Sequence, residues 1–341
     1  MNGDAHTPKH AAILVLPHIR VQNANAISSP MTWGFPAITA FTGAMTALER
    51  RLGQDAGIGL YGVGIICHGF EAQVTTEGFT HAFRLTRNPV LHDGSVAAIV
   101  EEGRVHLDVT LVFEARISDA HRGDAERAAL AERIAHELAS MRIAGGSLMP
   151  PIAGSARRPT RPTLDLLPDE DEERSKLFKR LARRWLPGFA LVSRDDLLEA
   201  RLSDLKALNP NANVLDAWLD LSRWSSKAIM QPTTDEQAEV PKIDWITEPR
   251  PGWIVPIPVG FAALSDLQPP GTVKGARDTE VPFCFVETIW STGQWISPHR
   301  LQDLDELIWE AQAPDEHGLY RCRNAYRPPN PVPDPTNVIA Y

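Results

Sequence analysis

The chain has 341 residues, 43% of them apolar, with 43 acidic against 34 basic side chains and a net charge of −9. That length and apolar share suit one large or two ordinary folded units. The acidic balance argues against a free-standing, nonspecific nucleic-acid binder, while leaving room for a local basic groove. Three cysteines, Cys67, Cys284 and Cys322, are odd in number and far apart. They form neither a disulfide framework nor a zinc pattern and point to a reducing cytoplasm. No signal peptide and no membrane-spanning run is expected. The 28 prolines cluster around 150–168, 249–258, 269–270 and 328–335, which marks those stretches as loops, edges and turns.

In chain order, residues 11–21 (AAILVLPHIRV) read as a strand, with Pro17 marking a bend or an edge. Residues 22–36 (QNANAISSPMTWGFP) read as a polar loop. Its amides and hydroxyls can hydrogen-bond nucleotide edges and phosphates, and Trp33 and Phe35 can stack on bases. Phe41, Met45, Leu48 and Leu52 then recur at helical spacing, and Gly53 ends the run. Residues 61–74 and 79–85 are strand-like, and 106–117 alternate as a half-buried strand does. A second helix is expected from about 124 to 141, with Leu130, Ile134, Leu138 and Met141 on one face, followed by a glycine turn at 142–147. The order is βαββαβ, that of a ferredoxin-like or RRM-type unit with enlarged loops, here over 11–152. A doubly wound fold is disfavoured, because consecutive strands adjoin between the two helices.

Residues 153–167 look irregular, with Arg157, Arg158 and Arg161 among prolines. The acidic run 169–173 leads into a helix over 174–185. Lys176, Arg180, Arg183 and Arg184 share one face of it, and Phe178, Leu181 and Trp185 the other. Acid at the front and base at the back suit the helix dipole. Two further helices are expected near 194–207 and 213–224, then a polar, mobile connection over 225–243. The region 153–245 thus reads as a helical insertion with a linker. Strands return at 252–261 and 283–289. A last helix is predicted from Ser297-Pro298, with apolar positions Leu301, Leu304, Ile308 and Ala311, before a final strand at 319–323. Residues 246–325 are expected to pack back on the core, giving an α+β protein.

Gly145-Gly146 after a helix reads as a C-cap and tight turn, or as a bare backbone that approaches RNA phosphates beside Arg142. The basic helix is either a solvated face or a surface for phosphate or a partner. Arg84, Arg87, Arg104 and His106 lie at strand ends, where an arginine is as often in a surface ion pair as on RNA. His68 near Glu71 lacks a matching serine, cysteine or second histidine and reads as structural, with Cys67 as a small buried hydrophobe. His299 and Arg300 fall in the first turn of the predicted last helix, where they could meet a phosphate or an acidic partner. Glu101, Glu102 and Asp108 are too loose for a metal site. Walker, dinucleotide-binding and serine-hydrolase motifs are missing, so neither cofactor nor metal is expected.

Several long blocks carry a family resemblance: 22–53 (QNANAISSPMTWGFPAITAFTGAMTALERRLG), 62–74, 85–107, 141–150 (MRIAGGSLMP), 183–198 (RRWLPGFALVSRDDLL), 251–265 (PGWIVPIPVGFAALS), 296–301 and 318–321. In that order they resemble the second Csy subunit of the type I-F CRISPR surveillance complex, from the Cas-five group of the RAMP superfamily. The stretches 153–182 and 225–245 match poorly and look like insertions. The resemblance implies a noncatalytic subunit with a ferredoxin-fold body and an added helical portion. It implies pairing with the large type I-F subunit at the tail of the complex and contact with the first backbone subunit. It also implies a hold on the 5′ handle of the CRISPR RNA, with target DNA a secondary partner. Carried onto this chain, the handle-contacting candidates are Gln22, Asn23, Asn25, Ser28, Ser29 and Trp33, with Arg142, Gly145, Gly146 and Ser147, and further Arg87, Arg277, His299 and Arg300. A handle of fixed sequence calls for base-edge hydrogen bonds from amides and hydroxyls as well as for cations.

Two alternatives stand beside this reading. A processing endoribonuclease would need an acid–base group near the RNA, for which His68, His106 and Tyr61 are the candidates. A protein-only scaffold would need no RNA contact at all.

Overall fold

The computed structural model describes residues 7–87, 90–150, 161–224, 226–230, 243–247, 249–250, 252–276, 278–315 and 318–328. The first half of the chain carries β1 (His10–Asn25), α1 (Ile38–Leu52), β2 (Ile58–Ala72), β3 (Val74–Glu77), β4 (Thr80–Phe83), β5 (Leu85–Arg87), β6 (Ile99–Glu101), β7 (Arg104–Ile117), α2 (Asp124–Ala139), β8 (Arg142–Ile143), β9 (Gly146–Met149) and β10 (Thr163–Leu166). The second half carries α3 (Asp171–Arg184), β11 (Phe189–Ser193), α4 (Asp195–Leu208), α5 (Val214–Ser222), β12 (Ser226–Met230), β13 (Ile243–Thr247), β14 (Ile254–Ala263), β15 (Val286–Ile296), β16 (Trp309–Gln312) and β17 (Leu319–Asn324).

Eleven of these strands form one antiparallel sheet in the order β11-β15-β14-β17-β16-β2-β7-β1-β9-β8, with β10 also on β1. Within it β9-β1-β7-β2 is a continuous block. Its four strands are linked in sequence by α1 after β1, by the β2–β7 connection, and by α2 after β7. The edge of β1 away from β7 is shared, with β10 on Ala12–Val15 and β9 on Arg20–Gln22. At the other side β2 pairs through Val63 with Trp309 of β16 and through Ile66 and Cys67 with β11. Since β11 also pairs with β15, the strands β2, β16, β17, β14, β15 and β11 close into a circuit.

The period of two along β1 sorts its side chains to two faces. Ala12, Leu14, Leu16 and Val21 pack with Phe41, Met45 and Leu48 of α1 and with Leu130, Ile134 and Leu138 of α2. Ile13 and Val15 pack on the opposite face with Leu177, Phe178 and Leu181 of α3, with Trp185 and with Leu301 and Leu304. Helices therefore cover the first face, while α3 and the 301–308 segment cover the second only over the early half of β1. The far end of the second face stays open.

Several expectations need correction. The strand predicted to end at 21 runs on to Asn25, because β7 and the β8–β9 hairpin continue to pair with it. Gln22, Asn23 and Asn25 are therefore strand residues and not loop residues. Part of the stretch expected to be irregular, Thr163–Leu166, is β10; residues 151–160 lie outside the described residues. The strand expected at 79–85 is split between β4 and β5, which close two small hairpins with β3 and β6. Ser226–Met230 and Ile243–Thr247, expected within or beside a mobile connection, pair as a hairpin, and 231–242 lie outside the described residues.

The predicted last helix is absent. Ser297-Pro298 start only a single 3-10 turn, Pro298–Arg300, and Leu301 is already extended with ψ 144°. Local side-chain caps take over from helical hydrogen bonds: Asp303 Oδ1 accepts from Glu306 N–H, and Glu306 Oε2 accepts from Gln302 N–H. The Asn324 amide then donates to the carbonyls of Glu306 and Ile308, which steers the chain into β16. Leu301, Leu304, Leu307 and Ile308 are all buried, so the apolar pattern recorded burial and not helix.

Candidate nucleic-acid interface

The open end of the sheet is built by alternation. On β1 the residues Ile19 and Val21 face the helices, which turns Arg20 and Gln22 outward; on β7 the same logic turns His106 and Asp108 outward. Gln22 lies opposite Ser147, and Arg20 opposite Met149. Arg20, Gln22, His106, Asp108 and Met149, with Gly69 and Glu71 of β2, line a groove of about 370 Å³.

A bulge makes the groove polar. The β1–β7 register shifts between Val21 and Ala24, and Asn23 takes φ 57°, a left-handed conformation that asparagine tolerates. Its N–H donates to His106 Nδ1 at 3.1 Å, and its carbonyl accepts from Arg104 Nη1 at 3.5 Å. His106 therefore carries its neutral-state proton on Nε2. Arg104 is held by Glu102, whose carboxyl is lowered by hydrogen bonds from Arg104 and Thr86, against a smaller opposing effect of burial. Deeper in, His18 Nδ1 lies 2.9 Å from Asp108 Oδ1, and the His18 and His68 rings sit 4.2 Å apart. His68 is anchored at both nitrogens, by the Pro187 carbonyl and by Thr110 Oγ1, each at 2.8 Å. Cys67 beside it is pushed up to about 12, chiefly by burial, so its thiol is neutral and not a nucleophile.

The β8–β9 hairpin forms the rim. Its two turn residues, Ala144 and Gly145, both have positive φ, 49° and 74°, which matches the twist of a tight hairpin. Arg142 and Ser147 face each other across it and are exposed. Gly146 is buried, and a Cβ there would meet Val21 Cγ1 at 2.6 Å, Ala24 N at 2.8 Å and Gln22 O at 2.8 Å. Two of these are main-chain atoms, so Gly146→Ala is expected to lift the hairpin off β1 and cost about 1–3 kcal/mol of stability. Denaturant unfolding checks this; an unchanged midpoint would mean that the hairpin does not bear on β1 this closely.

The segment after β1 is tied down rather than presented. The Asn25 amide both donates to and accepts from Ile27, at 2.8 and 3.1 Å. Ser28 Oγ accepts from Ala37 N–H. Ser29 is buried, and its Oγ meets Met31 N–H, Thr32 Oγ1 and, at 2.8 Å, the Trp290 indole N–H. These three side chains shape the loop. Trp33 differs: it is 49% exposed, against Phe70 and Phe83.

The structure thus brings together Gln22, Asn23, Arg142, Gly145, Gly146 and Ser147 at one rim. It leaves Arg87 exposed on β5, away in the arm between β2 and β7. Arg277 lies outside the described residues. His299 and Arg300 sit on the 3-10 turn that packs against α3, at the covered end of the sheet, apart from the groove. Beside them α3 exposes Lys179, Arg180, Arg183 and Arg184, none of which forms an ion pair among the described residues, whereas Lys176 is held by Glu172 and Glu173. Of the groove residues, Arg20 was not singled out from the sequence, and Glu71 and Asp108 were weighed there only for acid–base and metal chemistry. The alternation of 105–109 carried the signal for Asp108, but the bulge at 22–23 hid the phase of β1.

The α+β scaffold thus presents an open sheet end lined by hydrogen-bond donors and acceptors, with Arg142 exposed on its rim. The chain belongs to the Csy2 family of CRISPR-associated proteins, whose family model, described as CRISPR-associated protein (Cas_Csy2), matches residues 14–322. It is similar to the CRISPR-associated protein Csy2 of Pseudomonas aeruginosa (strain UCBPP-PA14), with 46% identity over 312 residues, which is 91% of this chain and 94% of that protein. The resemblance carried by the sequence blocks, to the second Csy subunit of the type I-F system, is thereby established.

Proposed function

We propose that this chain is a noncatalytic subunit of a type I-F Csy complex that holds the 5′ handle of the CRISPR RNA on the open end of its sheet. The observation that carries this is the groove lined by Gln22 and His106, with Asn23 and Ser147 beside them, whose amides, hydroxyl and imidazole suit base edges. Asp108 and Glu71 accept from base amino groups, and Arg20 and Arg142 lie where phosphates run along the rim. The block β9-β1-β7-β2 with α1 and α2 is read as the ferredoxin-like body, over 11–152. The 153–245 portion and the C-terminal strands are read as additions to it. A noncatalytic role fits His68, both of whose ring nitrogens are engaged, and Tyr61, which lies under the Arg116 guanidinium and away from His106. Pairing with the large subunit and with the first backbone subunit fits the apolar side chains bared on β12 and β13, among them Met230, Trp245 and Ile246. Target DNA is a secondary partner.

The test is co-purification of this chain with its large partner and CRISPR RNA, comparing a native with a scrambled 5′ handle. A stable complex with the native RNA alone supports the handle role. Equal pairing with either RNA, or with none, would make the chain a protein scaffold.

A further inference from the structure

Beside the groove lies a second cavity of about 600 Å³. Gly69 and Phe70 line both, so the two are adjacent. Six aromatic rings wall it: Trp33, Phe35, Phe70, Phe189, Trp253 and Trp295. They brace one another, with Phe35 on Trp295 at 4.9 Å and Phe189 on Trp253 at 5.2 Å between ring centroids. Trp33 and Trp253 remain 49% and 46% exposed.

Hydrogen bonding decides what fits. Among the described residues, the indole N–H groups of Trp218, Trp290 and Trp309 donate to protein oxygens. Those of Trp33, Trp253 and Trp295 have no protein acceptor among the described residues. An aliphatic side chain from a protein partner offers an indole N–H no acceptor. A nucleobase offers a π face to the rings together with ring nitrogens and carbonyl oxygens to the N–H donors. The volume is within the usual span of small-molecule sites, roughly 300–1,000 Å³.

We propose that this cavity takes one unstacked nucleobase of the single-stranded RNA whose neighbouring nucleotides lie in the groove. This rests on the RNA-binding role proposed above and adds to it a base-accepting pocket on the other side of Gly69 and Phe70. The polar groove reads base edges, while the cavity holds one base by stacking. That base fixes the register of the strand.

The experiment is an abasic scan. The chain is purified with its large partner, and synthetic RNAs of the 5′ handle carry one abasic nucleotide at each position in turn. At one position the loss of the base is expected to weaken binding roughly tenfold, the scale of one base–aromatic stack. Trp253→Ala is expected to weaken intact RNA about as much, and the abasic change then adds less than about twofold. Trp253→Phe keeps a ring and should recover most of the affinity. Trp33→Ala, at the exposed lip, repeats the test if Trp253→Ala melts early. Costs that simply add for both variants, while native RNA is still preferred over scrambled, overturn the base cavity and leave the handle role standing. Non-additive costs without that preference support the cavity and overturn the handle role. A variant that loses the large partner but keeps its RNA affinity shows that a protein side chain fills the cavity, which also overturns the proposal.

Discussion

Trp309→Ala is expected to lower the free energy of unfolding by about 3–5 kcal/mol, the range for removing a fully buried indole. Trp309 has no exposed surface, and it is where β16 meets Val63 of β2. Its indole N–H reaches the Leu191 carbonyl of β11 at 2.8 Å, linking the two strands that both lean on the same edge of β2. Alanine would leave a void inside the closed circuit and a buried carbonyl short of a donor. Trp309→Phe fills most of the void and should cost about 1–2 kcal/mol, mainly the hydrogen bond. Urea unfolding followed by far-ultraviolet circular dichroism separates the two variants. A loss below about 1 kcal/mol for alanine would mean that the circuit holds together without this ring.

The second large effect concerns RNA. Arg20→Ala combined with Arg142→Ala is expected to weaken handle binding roughly tenfold near physiological salt and to flatten the salt dependence. Each lost phosphate contact on a single strand removes about 0.7 from the slope of log affinity against log salt, so the pair removes about 1.4. Arg183→Ala with Arg184→Ala removes the same charge from α3, at the covered end of the sheet, and should change neither quantity by much. Filter binding of handle RNA at four salt concentrations reads both pairs. If the α3 pair flattens the slope and the rim pair does not, the RNA runs along the helical side and the groove assignment is wrong.

The local periodicities were legible. Phe41, Met45, Leu48 and Leu52 named α1, and the alternation of 106–117 named β7, because each face of those elements meets one kind of neighbour. Tertiary pairing was not legible. Leu301, Leu304 and Ile308 have helical spacing, yet Asn324, in the last strand, fixes their backbone by bonds to Glu306 and Ile308. The five residues of β11 make a strand only because β2 and β15 are there to receive them. For the site, composition identified the 22–36 stretch but not the task of each side chain. Asn25, Ser28 and Ser29 look like Gln22 and Asn23 in a string of letters. Three of them turn out to cap their own loop, and two face outward at a bulge. The aromatic cavity gathers Trp33, Phe189, Trp253 and Trp295 from four distant parts of the chain, and no spacing announces it.

The position of β17 has a consequence for how the protein is made. This strand, Leu319–Asn324, lies inside the sheet between β14 and β16, and it supplies Asn324 to the backbone of the 306–308 stretch. During synthesis the ribosome delivers β1, β2, β7, β9 and β10 early, and these can pair among themselves while the rest is still being made. The closed circuit must wait until residue 324 has cleared the exit tunnel. Until β11 and β16 have emerged, Val63, Ile66 and Cys67 lack their partners, and the nascent chain shows an unpaired strand edge to its surroundings. Completion of the circuit therefore comes late in synthesis, and the interval before it is when a chaperone has most to protect.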